Sequence, residues 1–134
     1  MSADPWMIAS GAIRLAVEVA PARPPTRASA SASRPLLLIH GTTTDATLWD
    51  DTRDALNEGR DLYLLNRRGR GGSDDEAAYD IAAEGRDVRV VLDAIADRHA
   101  GTLVDVVAHS YGALCFLLAL ADPACPVGRA VVYE

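Results

Sequence analysis

Cysteine is scarce in this chain: Cys115 and Cys125 are the only two. They are too few for a disulfide framework and lack the close pair spacing of a zinc or redox motif, so no structural metal is expected. Long hydrophobic runs are missing too. The longest, residues 113–121, has nine residues, whereas a membrane-spanning helix needs about 20. No basic start followed by an apolar centre is visible either, since Asp4 precedes any apolar stretch and Arg14 and Glu18 interrupt the next one. Without a secretory signal or a span, a cytoplasmic chain is expected. There is no positive excess, with 13 basic against 19 acidic residues and a net charge of -6, which argues against general affinity for nucleic-acid backbones. Arg67, Arg68 and Arg70 alternate with glycines, but no aromatic lies among them and Asp74, Asp75 and Glu76 follow at once, unlike an RNA-contacting segment. Those glycines do not complete G-x-G-x-x-G, because Asp74 takes the last position, and no P-loop lysine motif exists; no nucleotide or other cofactor is expected. What is present is 49% apolar and 24% charged residues over 134 positions, the composition of one globular domain.

Hydropathy patterning divides that domain. Residues 6–19 hold a short apolar stretch, a Ser10-Gly11 turn signal and an alternating run through Ile13, Leu15, Val17 and Val19, which predicts an N-terminal β-hairpin. Residues 20–35 are rich in Pro, Ser and Ala, with no large apolar side chain before the next strand, and are expected to form a mobile linker. The core, 36–134, has unbroken or nearly unbroken apolar runs at 36–39, 62–65, 103–108 and 129–133, as strands buried on both faces require. Between them, helical spacing predicts helices over 48–57, 80–99 and 113–121. Strands alternating with helices imply an α/β fold around a mostly parallel sheet.

The most informative residues are Ala108-His109-Ser110-Tyr111-Gly112, between a buried strand and a wholly apolar helix. A strand, a sharp turn and a helix are the setting of a nucleophile elbow, which lifts a serine out at the top of a sheet between small residues. Ala108 replaces the usual first glycine. Ser110 is therefore the candidate nucleophile, and the Tyr111 N–H, opening the next helix, a candidate oxyanion donor. His40-Gly41-Thr42-Thr43 follows another buried strand, where a backbone N–H can supply the second donor; Thr42 is the choice for it.

The blocks LLLIHGTTTDATLW, NRRGRGGSDD, VDVVAHSYGALC and VVYE, in this order and at this spacing, resemble the α/β-hydrolase superfamily, and within it a bacterial group, over about residues 35–134. The resemblance implies a serine hydrolase acting on a small ester-like substrate, with Ser110 as nucleophile and Thr42 and Tyr111 at the oxyanion hole. Asn66 stands where many relatives have aspartate, a structural position. The resemblance covers the N-terminal part of the family's domain, to about the sixth strand. The superfamily's acid and base histidine come later in chain order. His40 belongs to the oxyanion loop, His99 to the end of the long helix, and His109 adjoins Ser110 on a tight turn that aims its ring elsewhere. Glu134, at the C-terminal edge of the sheet where some relatives place the triad acid, is a candidate acid, against a solvated chain end. The alternative to a serine hydrolase is a non-catalytic α/β-hydrolase-like remnant that pairs with another chain. In either reading the last strand leaves an apolar sheet edge, and self-association through it is expected.

Overall fold

A computed structural model describes residues 3–25 and 33–134. Six strands form one sheet in the order β1-β2-β4-β3-β5-β6. β1 (Trp6–Ser10) and β2 (Ile13–Ala20) are the hairpin, antiparallel about Gly11, and β2 runs antiparallel to β4 (Leu62–Leu65). β4, β3 (Leu36–Ile39), β5 (Val104–His109) and β6 (Val127–Tyr133) are mutually parallel. This is the mostly parallel α/β sheet with an N-terminal antiparallel hairpin that the patterning predicts.

Burial explains the patterns strand by strand. Every residue of β3 and β4 is buried, because each face of the sheet carries its own apolar layer. One layer packs Leu37, Ile39, Tyr63 and Leu65 against α2 (Ile81–Arg98) and α3 (Tyr111–Ala119). The other packs Leu36, Leu38, Leu62 and Leu64 against Ala46 and Trp49. β5 alternates instead: Val104, Val106 and Ala108 are buried, while Asp105, Val107 and His109 are partly exposed. β6 is almost wholly exposed.

α2 starts at Asp80, whose carboxylate accepts from Ala82 N–H at 2.9 Å, a capping bond worth about 1 kcal/mol. Gly85 lets α3 lie close, since a Cβ there would sit 2.8 Å from Leu118 Cβ. The continuous helix expected over 48–57 is not formed. A 3-10 turn, Ala46–Trp49, is followed by the single-turn helix α1, Arg53–Leu56. Asp45 caps the first turn through Thr47, and Thr52 Oγ1 donates back to Trp49 C=O at 3.2 Å. These local side-chain bonds compete with the helical ladder while Trp49 turns into the second core. Part of the expected linker, 26–32, lies outside the described residues. Its beginning is tied down: Ala20 ends β2, and Arg23 exchanges backbone hydrogen bonds with Asn57 and Gly59 at 2.9 and 2.8 Å. Among the described residues no helix is long and apolar enough to cross a membrane.

Candidate active site

Ser110 is the single residue between the last residue of β5 and the first of α3, with φ +52° and ψ −122°. Its own hydrogen bonds impose that conformation. The Ser110 N–H donates to Tyr133 C=O at 2.7 Å, continuing the sheet, while its C=O accepts from Ala113 N–H at 2.9 Å, opening the helix. The direction change is completed within one residue, at a strain cost on the order of 1–3 kcal/mol for a non-glycine side chain. Close packing around the turn depends on two glycines. A Cβ on Gly112 would collide with the His40 carbonyl oxygen, and one on Gly41 would lie 3.1 Å from Ser110 Cβ and 3.0 Å from His109 Nδ1. The end of β3 and the β5–α3 turn therefore meet backbone to backbone.

That meeting brings the residues singled out from the sequence together. Thr42, Ser110, Tyr111 and Glu134 line one cavity of about 390 Å³, walled on its apolar side by Leu114, Leu117 and Val132. Tyr111 N–H lies in the first turn of α3, where N–H groups have no acceptor within the helix. Among the described residues neither it, nor Thr42 N–H, nor Ser110 Oγ hydrogen-bonds to a protein group.

The histidines are engaged elsewhere. His40 is fully buried; Arg67 N–H donates to its Nε2 at 3.0 Å, so the ring proton is on Nδ1, 2.8 Å from Gly41 C=O. Burial lowers the His40 pKa below the ordinary imidazole value, aided by the Arg67 charge, which keeps the ring neutral. His99 Nε2 pairs with Tyr63 OH at 2.8 Å, under the opposite end of the sheet. His109 stacks on Tyr133 with ring centroids 4.8 Å apart, and its Nδ1 is buried without a hydrogen-bond partner. Asp105 lies at the start of β5, where it accepts from Arg129 N–H at 2.9 Å and pairs with Arg34 and Arg60. Asn66 holds its structural position through Oδ1, which accepts from Ala46 N–H at 3.0 Å.

Sequence reasoning missed a buried ionic layer beneath the cavity. Arg67 Nε and Nη2 donate to the two Glu84 carboxylate oxygens at 2.7 and 2.9 Å, and Arg68 makes the equivalent fork to Asp87 at 2.7 and 3.0 Å. Tyr79 OH joins Glu84 to the Tyr111 hydroxyl, and the Arg67 guanidinium lies 4.9 Å from the centre of the Tyr111 ring. Burial would raise the Glu84 carboxyl, but hydrogen bonds from Arg67 and Tyr79 more than offset it and hold the pKa below the ordinary value. Burial, with the Glu84 charge beside it, pushes the Cys115 thiol up to about 12, so this cysteine is not a nucleophile at neutral pH. A signal for the layer was present: Glu84 and Asp87 fall in register with Ile81, Val88 and Val91 on the apolar side of α2. Among the described residues no group of three or more His, Cys, Asp or Glu side chains is gathered to hold a metal.

A serine on a one-residue strand–helix turn at the C-terminal end of a parallel sheet, sharing a cavity with Thr42 of the loop after β3, is the arrangement of an α/β-hydrolase-type fold. The chain belongs to the alpha/beta hydrolase family, whose sequence profile matches residues 36–134. No curated protein matches the sequence. Among solved structures, an alpha/beta hydrolase from Sphaerobacter thermophilus is 25% identical with a TM-score of 0.74, the match covering 95% of this chain and 44% of that one. An esterase from Exiguobacterium antarcticum is 20% identical with a TM-score of 0.76, over 96% and 44%. Epoxide hydrolase A from Mycobacterium thermoresistibile is 24% identical with a TM-score of 0.75, over 98% and 39%. The chain thus spans less than half the length of these structures, and the likeness to the last two is one of fold.

Proposed function

We propose that this chain carries the nucleophile and oxyanion hole of a serine hydrolase that cleaves small ester-like substrates. Ser110 Oγ attacks the acyl carbon, and the Thr42 and Tyr111 N–H groups receive the negative charge that develops on the carbonyl oxygen. Collapse of the tetrahedral species expels the alcohol and leaves an acyl-serine, which water then hydrolyses. The observation that supports this reading is that Ser110, at positive φ, shares one cavity with Thr42 and Tyr111, whose backbone N–H groups have no protein acceptor among the described residues. Glu134 lines the same cavity and is the acid available to this chain. The esterase among the related folds is consistent with acyl chemistry.

The Ser110 proton needs a base, and His40 has both ring nitrogens hydrogen-bonded elsewhere, His99 Nε2 pairs with Tyr63 and His109 faces Tyr133. A hydroxyl without an adjacent base is a weak nucleophile at neutral pH. Hydrolysis of p-nitrophenyl acetate by the 134-residue chain is therefore expected barely above background, and the small excess should vanish in Ser110→Ala. A longer chain that adds downstream-encoded residues, including a histidine able to reach Ser110, should gain Ser110-dependent turnover. The alternative is a non-catalytic chain that acts by pairing with another; an inactive longer chain with an intact triad would decide for it.

A further inference from the structure

The Gly41 carbonyl oxygen accepts two hydrogen bonds in the buried layer, from His40 Nδ1–H and from Arg67 Nη1–H, each at 2.8 Å. This carbonyl belongs to the same peptide unit as the Thr42 N–H. The peptide is trans, so its C=O and N–H point in opposite directions. Pinning the oxygen in the layer turns the N–H away from it, and Thr42 is the residue that lines the Ser110 cavity. Arg67 has no freedom to swing: its other two guanidinium nitrogens, Nε and Nη2, are held by Glu84, and its face lies against the ring of Tyr111. One buried cation thus touches both segments that supply oxyanion donors.

We propose that Arg67, with His40, is a positioning residue for the oxyanion hole, acting through the Gly41–Thr42 peptide. The two donors fix the plane of the peptide. The guanidinium charge also draws electron density toward the carbonyl oxygen, which makes the Thr42 N–H a stronger donor toward a developing anion. Hydrogen bonds to ionised groups are about twice as strong as neutral ones, and polarisation strengthens the next bond in a chain by about 10–30%. Neutral His40 adds a second donor without a second charge. The inference rests on the reading of Thr42 N–H as an oxyanion donor.

A matched control lies one residue away. Arg68–Asp87 is another buried forked pair between the same loop and α2, and it does not touch Gly41. Arg67→Met/Glu84→Gln and Arg68→Met/Asp87→Asn each remove one pair without stranding a buried charge. Two readouts on the full chain are compared: the 1H and 15N shifts of the Thr42 amide, and the rate at which a fluorophosphonate labels Ser110. The Arg67 variant should move the Thr42 amide proton upfield and slow labelling about tenfold, short of the 10²–10³ that follows complete loss of one oxyanion donor. The Arg68 variant should leave both readouts at wild-type values. A Thr42 amide unmoved by the Arg67 variant, or moved equally by both, overturns the inference, as does an unchanged labelling rate when wild type labels Ser110. If wild type never labels Ser110 even with imidazole as an added base, the hydrolase reading fails, and the Thr42 shift alone decides whether Arg67 orients this peptide. Should the Arg67 variant fail to fold, the unmodified chain carries the test: scalar coupling across the hydrogen bond from Arg67 Nη1 to the Gly41 carbonyl carbon supports the inference, and its absence overturns it.

Discussion

Ser110 and Gly112 show how much one residue's backbone decides here. At φ +52° Ser110 holds a conformation that glycine enters freely and an L side chain does not. Ser110→Gly and Ser110→Ala both delete the hydroxyl, so their difference isolates the strain; the glycine variant should be the more stable by about 1 kcal/mol, read from urea midpoints. Gly112→Ala should act oppositely, because its Cβ has no space beside the His40 carbonyl. Destabilisation of at least about 1–3 kcal/mol is expected from such overpacking, again from urea unfolding. The turn was legible in the sequence because a strand, A-H-S-Y-G and an apolar helix allow few other paths. The close approach of Gly41 to Ser110 was not, since residues 69 positions from one another carry no local sign that they meet.

α2 is the element that joins hydrophobic core and site. Its apolar row was readable from Ile81, Val88, Leu92 and Ile95, but its ionic contacts were not: the Arg67–Glu84 and Arg68–Asp87 pairs span 17 and 19 residues, and no periodicity says which arginine meets which carboxylate. The helix expected over 48–57 failed for a related reason, since the side-chain cap at Asp45, the Thr52 hydroxyl bond back to Trp49 C=O and burial of Trp49 override spacing. Removing one partner of the buried pair should be costly. Glu84→Ala leaves the Arg67 charge uncompensated and is expected to lower stability by about 3–5 kcal/mol, whereas Arg67→Met/Glu84→Gln should cost much less. The pair also sets a pH dependence. Glu84 titrates below the ordinary carboxyl value in the folded chain, so its contribution is complete above the unfolded value of about 4.3 and is lost as pH falls through the lower folded value. Acid unfolding followed by circular dichroism should have a shallower acid limb in Glu84→Gln than in wild type; identical limbs would remove Glu84 from the account.

On the scale of the molecule, α3 and the edge strand β6 leave apolar side chains exposed. Leu114, Leu117, Leu118 and Leu120 of α3 and its C-terminal cap, with Val131, Val132 and Tyr133 of β6, are all exposed, and β6 pairs on only one edge. Contiguous apolar patches and bare strand edges drive association. Sedimentation at tens of micromolar should find self-associated species, and a charged substitution such as Val131→Lys, on the exposed edge strand, should shift them toward monomer; a clean monomer in the wild-type chain would speak against this face as a contact. Leu114, Leu117, Val132 and Tyr133 also line the Ser110 cavity, so part of this exposed surface adjoins the proposed chemistry. The most direct measurement of the central claim is mass-spectrometric mapping of fluorophosphonate adducts on the 134-residue chain, with and without imidazole as an added base. Slow labelling is expected on Ser110 alone, faster with imidazole and absent from Ser110→Ala; adducts on another residue, or labelling that Ser110→Ala leaves unchanged, would contradict Ser110 as the nucleophile.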